Sequence, residues 1–260
     1  MIHFIRDVYK YRRYLIYSAR ATLKDEVSGS FLSCAWWLLD PLLFMIVYTF
    51  VYKMVFGKSV DYLCAFIFIG HSAWTFFNRC VLASGKLIRK NRPVLAKVYL
   101  PKFILILTTM LVNGFKMLIS LGFVAITMLL YRVPLTPQVL WLFPYLLLLF
   151  IMTFGVCCIL LHCGVFVNDL NNIVNVLLRL MFYLSGIFYN PEQQLQGIIK
   201  YLIIRVNPLC YIITQLRNSM LYGQVPLLNW FVVWLAVSLI LAYVGIRMIY
   251  KYERRYVKTV

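Results

Sequence analysis

The chain has 260 residues, 63% of them hydrophobic and only 13% charged, with a mean hydropathy of +0.83 and a formal net charge of +18. Soluble domains carry about 25% charged and 45–50% apolar residues, so an ordinary soluble core is excluded and the solvent is read as a bilayer. The 26 basic residues lie between long apolar runs instead of covering one face of a soluble domain, which argues against a nucleic-acid partner.

The opening MIHFIRDVYKYRRYLIYSARATLKDE has no apolar core followed by a small-residue cleavage site, so no removable signal peptide is expected. Arg6, Lys10, Arg13, Arg20 and Lys24 recur at helical spacing, with Ile5, Val8, Leu15, Ile16, Ala19 and Leu23 largely opposite. Residues 1–30 therefore read as an amphipathic helix in the membrane interface, its basic face toward lipid phosphates.

A helix needs about 20 apolar residues to cross the hydrocarbon. Six runs qualify, at 31–56, 62–83, 103–130, 140–165, 172–189 and 229–250. The fifth, NIVNVLLRLMFYLSGIFY, is short and contains Arg179. The expectation is an all-α integral membrane protein with six transmembrane helices over 31–250, an N-terminal interface helix and short helices before the last span. Segment 190–228 is broken by prolines and glycines and reads as re-entrant pieces at the outer face. Residues 251–260 form a basic tail. No internal repeat of the secondary-transporter kind is visible.

Lys and Arg orient the bundle. Residues 1–30 hold six, Lys86–Lys102 holds six and the tail from Arg247 holds five, whereas the loops at 57–61 and 131–139 hold one each. With six spans the three rich segments share a side, so the N- and C-termini and the 84–102 loop are expected in the cytoplasm.

Chemistry is sparse. Gly57-Lys58-Ser59 has the end of a phosphate loop, but Tyr52 stands where GxxxxGK[ST] requires its first glycine, so no ATP site follows. Cys158, His162 and Cys163 have ligand chemistry but lie in a span, where packing is the simpler reading. The seven cysteines show no CxxC pair and read as buried thiols. Eight acids offer no carboxylate pair suited to glycosidic or proton chemistry, which argues against an enzyme.

Ionisable residues within spans are costly and mark function by default; Asp40, Arg79, Lys116 and Arg179 qualify, with Asp169 at an inner boundary. Asp40 precedes Pro41, a helix-bending pair that reads either as kink support or as pore lining and gate. Trp37, Phe44, Tyr48 and Tyr52 form one stripe in the first run, and Trp74, Phe76, Phe77, Tyr183, Phe188 and Tyr189 add rings elsewhere. Such rings suit sugar faces, and they equally suit membrane-interface belts.

The order of several segments resembles the type-2 ABC permeases that export polysaccharides such as O-antigen, capsule and teichoic acid. FLSCAWWLLDPLLFMIVYTFVYKMVF follows a basic lead; KNRPVLAKVYLPK is similar to N-x-x-L-x-x-K-x-x-F-P; VFVNDLNNIV is similar to F-x-R-D-L. FYLSGIFYN resembles F-Y-x-S-P-I-x-Y, and NPLCYIITQLRNSMLYGQVP resembles the NP…R…G block before the last span. Departures are DEVSGSFLS for R-Y-x-x-S-x-L-G, Tyr99-Leu100-Pro101 for F-P, Asn168 where Arg often precedes Asp169, and Gly186 for Pro.

The resemblance implies the membrane subunit of an ATP-driven exporter in a bacterial inner membrane, working as a homodimer with two P-loop ATPase subunits. It implies a lipid-linked glycan as cargo, with ATP and Mg held by the partner and no cofactor bound directly. It implies a coupling helix between Pro93 and Pro101, VLAKVYL, with Arg89, Lys90, Arg92, Val94, Leu95, Lys97 and Tyr99 meeting the ATPase. The aromatic path would be lined by Trp37, Phe44, Tyr48, Tyr52, Trp74, Phe77, Tyr183 and Tyr189. Rival readings are a type-2 permease for a small drug or lipid and, further off, a membrane-embedded glycosyltransferase.

Overall fold

A computed structural model describes residues 2–28, 31–56, 61–167, 169–225 and 227–259. The Gly57-Lys58-Ser59 tripeptide and Asn168 lie outside the described residues. Every regular element among the described residues is helical. In chain order these are α1 (Ile2–Lys10), α2 (Arg12–Ser28), α3 (Phe31–Phe56), α4 (Leu63–Ser84), α5 (Leu87–Lys90), α6 (Arg92–Leu95) and α7 (Phe103–Leu130). A 3-10 turn at Pro137–Trp141 leads into α8 (Leu142–Phe166), then α9 (Leu170–Leu184), α10 (Pro191–Gln194) and α11 (Gly197–Tyr201). A π-wound turn at Leu202–Val206 precedes α12 (Pro208–Met220), and α13 (Leu228–Thr259) ends the chain.

The expected runs reappear as α3, α4, α7, α8, α9 and α13 with boundaries shifted by a few residues. Among the described residues, four stretches are long and apolar enough to cross a membrane: Ala35–Met54, Phe103–Leu130, Pro137–Phe166 and Leu228–Glu253. A bent pair, Gly197–Val206 with Pro208–Met220 at 91°, brings the number to five at most. Two of the six expected runs differ for physical reasons. Helix α4 is long enough, about 33 Å for its 22 residues, yet it carries His71, Ser72, Asn78 and Arg79. His71 and Ser72 are tolerated because α4 is wrapped by protein, with Ala65–Ala73 almost wholly buried, and Arg79 because Asp40 pairs with it. Helix α9 has only 15 residues, about 22 Å, and stops at Ser185, short of the hydrocarbon thickness.

The core is α4 packed against α7, α8 and α12, with α13 laid along α8. Small residues set the α8–α13 spacing: a Cβ on Gly155 would sit 2.8 Å from the Ala242 nitrogen, and one on Gly245 2.5 Å from Cys158 Cβ. Such close backbone approach is how helices associate where lipid supplies no hydrophobic drive. Helix α12 is the most enclosed element, buried from Leu209 to Met220; Asn207 caps it by accepting from the Leu209 and Cys210 N–H groups.

Helices α1 and α2 depart from a free interfacial helix. Phe4 packs on Phe103 and Phe154, with ring centres 4.8 and 5.7 Å away. Helix α2 lies along α7 and α3, burying Leu15 and Ala19.

Candidate functional site

Three helices and one turn build an aromatic cluster. From α3, Phe44 stacks on His71 of α4 at 3.6 Å and lies 4.1 Å from Tyr48. Tyr48 stacks at 4.1 Å on Phe188, in the turn after α9. Phe182 of α9 joins Phe188 at 4.8 Å and Trp74 of α4 at 5.4 Å, and Trp74 lies 6.2 Å from Phe77. Tyr183 borders the group at 5.6 Å from Phe182 and is 67% exposed. Beside these rings a groove of about 440 Å³ is lined by Trp74, Asn78, Asn175, Arg179, Phe182 and Tyr183. Apolar walls with a few amides and one cation suit an amphiphile that carries polar groups.

Of the eight predicted path rings, Phe44, Tyr48, Trp74, Phe77 and Tyr183 thus come together. Trp37 lies elsewhere, edge-on to Phe115 at 6.4 Å and beneath the Lys116 ammonium at 5.3 Å. Tyr52 is only 2% exposed, and its hydroxyl accepts from Gln194 Nε2 at 3.0 Å, so its ring faces are covered. Tyr189 is half-buried. The sequence reading missed two members, His71 and Phe182, and named the Phe188 ring without placing it on the path. Their aromatic character was the available signal, but wheels drawn one helix at a time do not bring α3, α4 and the α9 turn together.

Arg217 fixes that turn. Buried to 2% exposure, it donates from Nε to the Phe66 carbonyl at 3.0 Å, and from Nη1 and Nη2 to the Gly186 and Ile187 carbonyls at 2.6 and 2.9 Å. Its guanidinium also lies 3.5 Å from the Phe66 ring centre. Room for it exists because residue 70 is glycine, where a Cβ would come within 2.4 Å of Nη2. Gly186 has φ +65°, a value closed to proline, which accounts for the departure from S-P-I at this position.

Asp40 and Arg79 form an ion pair at 2.9 Å, and Lys116 pairs with Glu26 of α2. Pro41 is buried within an uninterrupted α3. Together with Asn113 and Ser120 these groups line a small polar chamber between α3, α4 and α7.

At the end of the bundle that holds both termini, the basic loop folds differently from the expected VLAKVYL helix. The helix runs Arg92–Leu95, preceded by Leu87–Lys90. Pro93 sits in its first turn, where a missing N–H costs nothing, and the chain then straightens to insert Leu100, Pro101 and Lys102 into the core. Leu87 and Ile88 are buried. Arg89, Lys90, Arg92 and Lys97 face outward around exposed Val94, Val98 and Tyr99, with Leu95 half-buried.

This loop is tied to α13, and α13 in turn to α1. Tyr99 Oη donates to Glu253 Oε2 at 3.0 Å and Lys102 Nζ to Oε1 at 3.3 Å; Tyr250 Oη donates to Asp7 Oδ2 at 2.6 Å. Partial burial of the hydroxyl and its bond to Glu253 push the Tyr99 pKa up to about 12.

Residues 16–221 match the ABC-2 type transporter family. An O-antigen export system permease protein RfbA of Myxococcus xanthus is 28% identical over 227 residues, 87% of each chain. Two proteins of that name from Klebsiella pneumoniae are 25% identical over 248 residues (93% of each chain) and 24% identical over 213 residues (80% of each).

Proposed function

This chain belongs to the ABC-2 type transporter family, and from that premise we propose that it is the membrane subunit of an ATP-driven exporter that moves a lipid-linked polysaccharide out of the cytoplasm. The observation that carries the reading is its likeness, along 80–93% of the chain, to three permeases named for O-antigen export. ATP and Mg would be held by a separate P-loop ATPase, with two copies of each subunit in a bacterial inner membrane. Six crossings, α3, α4, α7, α8, α9 and α13, would leave both termini and the basic loop cytoplasmic, as the excess of Lys and Arg there favours. The segment over α10–α12 would then be re-entrant from the outer face, its 91° bend returning the chain to that face.

The cargo would pass beside the rings of α3, α4 and α9. Flat faces suit sugar rings, and the amides of Asn78 and Asn175 suit hydroxyls. The α5–α6 loop would dock on the ATPase through Val94, Leu95 and Tyr99, with Arg89, Lys90, Arg92 and Lys97 around them. Exposed apolar side chains ringed by cations form a protein contact and not only a topology signal.

Affinity purification from native membranes, followed by mass spectrometry, tests this assignment. A P-loop ATPase in about one-to-one ratio is expected, and Lys97→Glu should weaken its retention about tenfold while the permease stays folded. A homogeneous preparation without an ATPase refutes the exporter reading.

A further inference from the structure

Three cations of the apolar helices have sharply different fates. Arg79 is neutralised by Asp40 and Lys116 by Glu26. Arg179 has no carboxylate within ion-pair distance among the described residues, although it sits in the middle of α9. An unpaired guanidinium at that depth is expensive and requires an anion or water. The chain has eight acids. Asp7, Asp40, Glu26, Glu192 and Glu253 are engaged by Tyr250, Arg79, Lys116, Asn218 and the Tyr99–Lys102 pair.

Arg179 lines the 440 Å³ groove together with the carboxamides of Asn78 and Asn175 and the rings of Trp74, Phe182 and Tyr183. A guanidinium fork and two primary amides are all N–H donors, and they match an anion with several oxygens better than a carboxylate. The groove also opens beside Val176, Leu180 and Tyr183 of α9, apolar side chains that are exposed. An anion arriving there on an acyl or polyprenyl chain would keep its tail in hydrocarbon.

We propose that this groove is a binding site for the phosphate or pyrophosphate group that joins a lipid to its glycan, with Arg179 as the anchoring cation. Asn78 and Asn175 donate to the remaining phosphate oxygens, and the rings stand where the first sugar would follow. The site rests on the export reading for its cargo, yet it has a readout of its own.

The test uses the full chain in phosphatidylcholine nanodiscs and equilibrium binding of a radiolabelled polyprenyl pyrophosphate. Arg179→Gln should weaken binding about tenfold or more, and Arg179→Lys, which keeps the charge, should lose about threefold or less. Phosphatidylglycerol should compete only in large excess. Unchanged binding in Arg179→Gln overturns the site. Equal affinity for phosphatidylglycerol overturns the glycan-linked form and makes the groove a headgroup clamp. Loss of self-association in Arg179→Gln overturns it too, because Arg179 would then be paired across subunits. If the parent chain binds pyrophosphate but recruits no ATPase, the export reading fails and the site stands. If export and ATPase recruitment are intact while Arg179→Gln binds normally, the site alone fails.

Discussion

Glu253→Ala cuts the knot that joins the basic loop to the last helix, and its effect can be worked from the geometry. Glu253 accepts from Tyr99 at 3.0 Å and from Lys102 at 3.3 Å. Lys102 is 3% exposed, so truncation leaves its ammonium buried without a counter-charge. Breaking a buried pair costs about 3–5 kcal/mol. The Glu253 side chain keeps 15% exposure, water reaches the site, and about 2–3 kcal/mol is the better figure. Glu253→Gln keeps an acceptor for Tyr99 and should lose about half as much. The double change Lys102→Met with Glu253→Leu removes both charges and should recover most of the loss. Unfolding of the purified permease, followed by tryptophan fluorescence, gives the stabilities. ATP turnover with the ATPase added shows whether the loop still transmits. If Glu253→Ala unfolds within about 0.5 kcal/mol of the parent, the two bonds do not hold the loop and the argument fails.

Arg217→Lys loses two of three carbonyl contacts and should destabilise by about 2–4 kcal/mol, and Gly70→Ala, which crowds Nη2, should approach it by about 1–3 kcal/mol; equal melting of both variants and parent would remove Arg217 as the fastener of the 186–188 turn. Tyr48→Ala combined with Tyr183→Ala should leave assembly intact and cut glycan export about tenfold, since each stacked ring is worth about 0.5–1.5 kcal/mol; normal export would refute the stacking role. Tyr99 retains its proton up to about 12, above the ordinary value of 10.0, so its contribution is complete below pH 10 and fades between 10 and 12. The melting gap between the parent and Tyr99→Phe should therefore be constant from pH 7 to 9.5 and close above pH 10; a gap already shrinking at pH 8 contradicts the bond to Glu253.

The helices were legible because length and apolarity set them: every run except the fifth and the sixth ends within three residues of its helix, and α13 continues nine residues past the sixth run into the basic tail. The loop helix was not, because two prolines were taken as brackets. Pro93 instead opens its helix, and burial of Leu100 and Pro101 decides where it stops. Arg217 reads in sequence as one basic residue of an outer segment. Only packing reveals that α12 is fully enclosed and that Phe66, Gly186 and Ile187 converge on one guanidinium. Tyr52 illustrates the reverse limit. It shares the stripe of Phe44 and Tyr48 by helical spacing, but Gln194, 142 residues away, covers it.

The aromatic cluster draws on helices held with unequal firmness. Helix α4 supplies Trp74 and His71 from the interior of the bundle, and Arg217 pins the turn carrying Phe188 to that same core. Helix α3 stands outside it: 12% of its apolar window is buried, against 50% for α7 and α8. Helix α3 leans on α4, through the Asp40–Arg79 pair and the Phe44–His71 stack, on α2, and on the middle of α7, where Lys116 meets both Glu26 and Trp37. The first residues of α7 follow Lys102 directly, at the knot with Glu253. We therefore expect a push on the basic loop to reach α7 first and, from there, both α4, against which α7 packs, and, through Lys116, α2 and α3. Phe44 and Tyr48 ride on α3, so two rings of the cluster belong to the long apolar helix least held by the core.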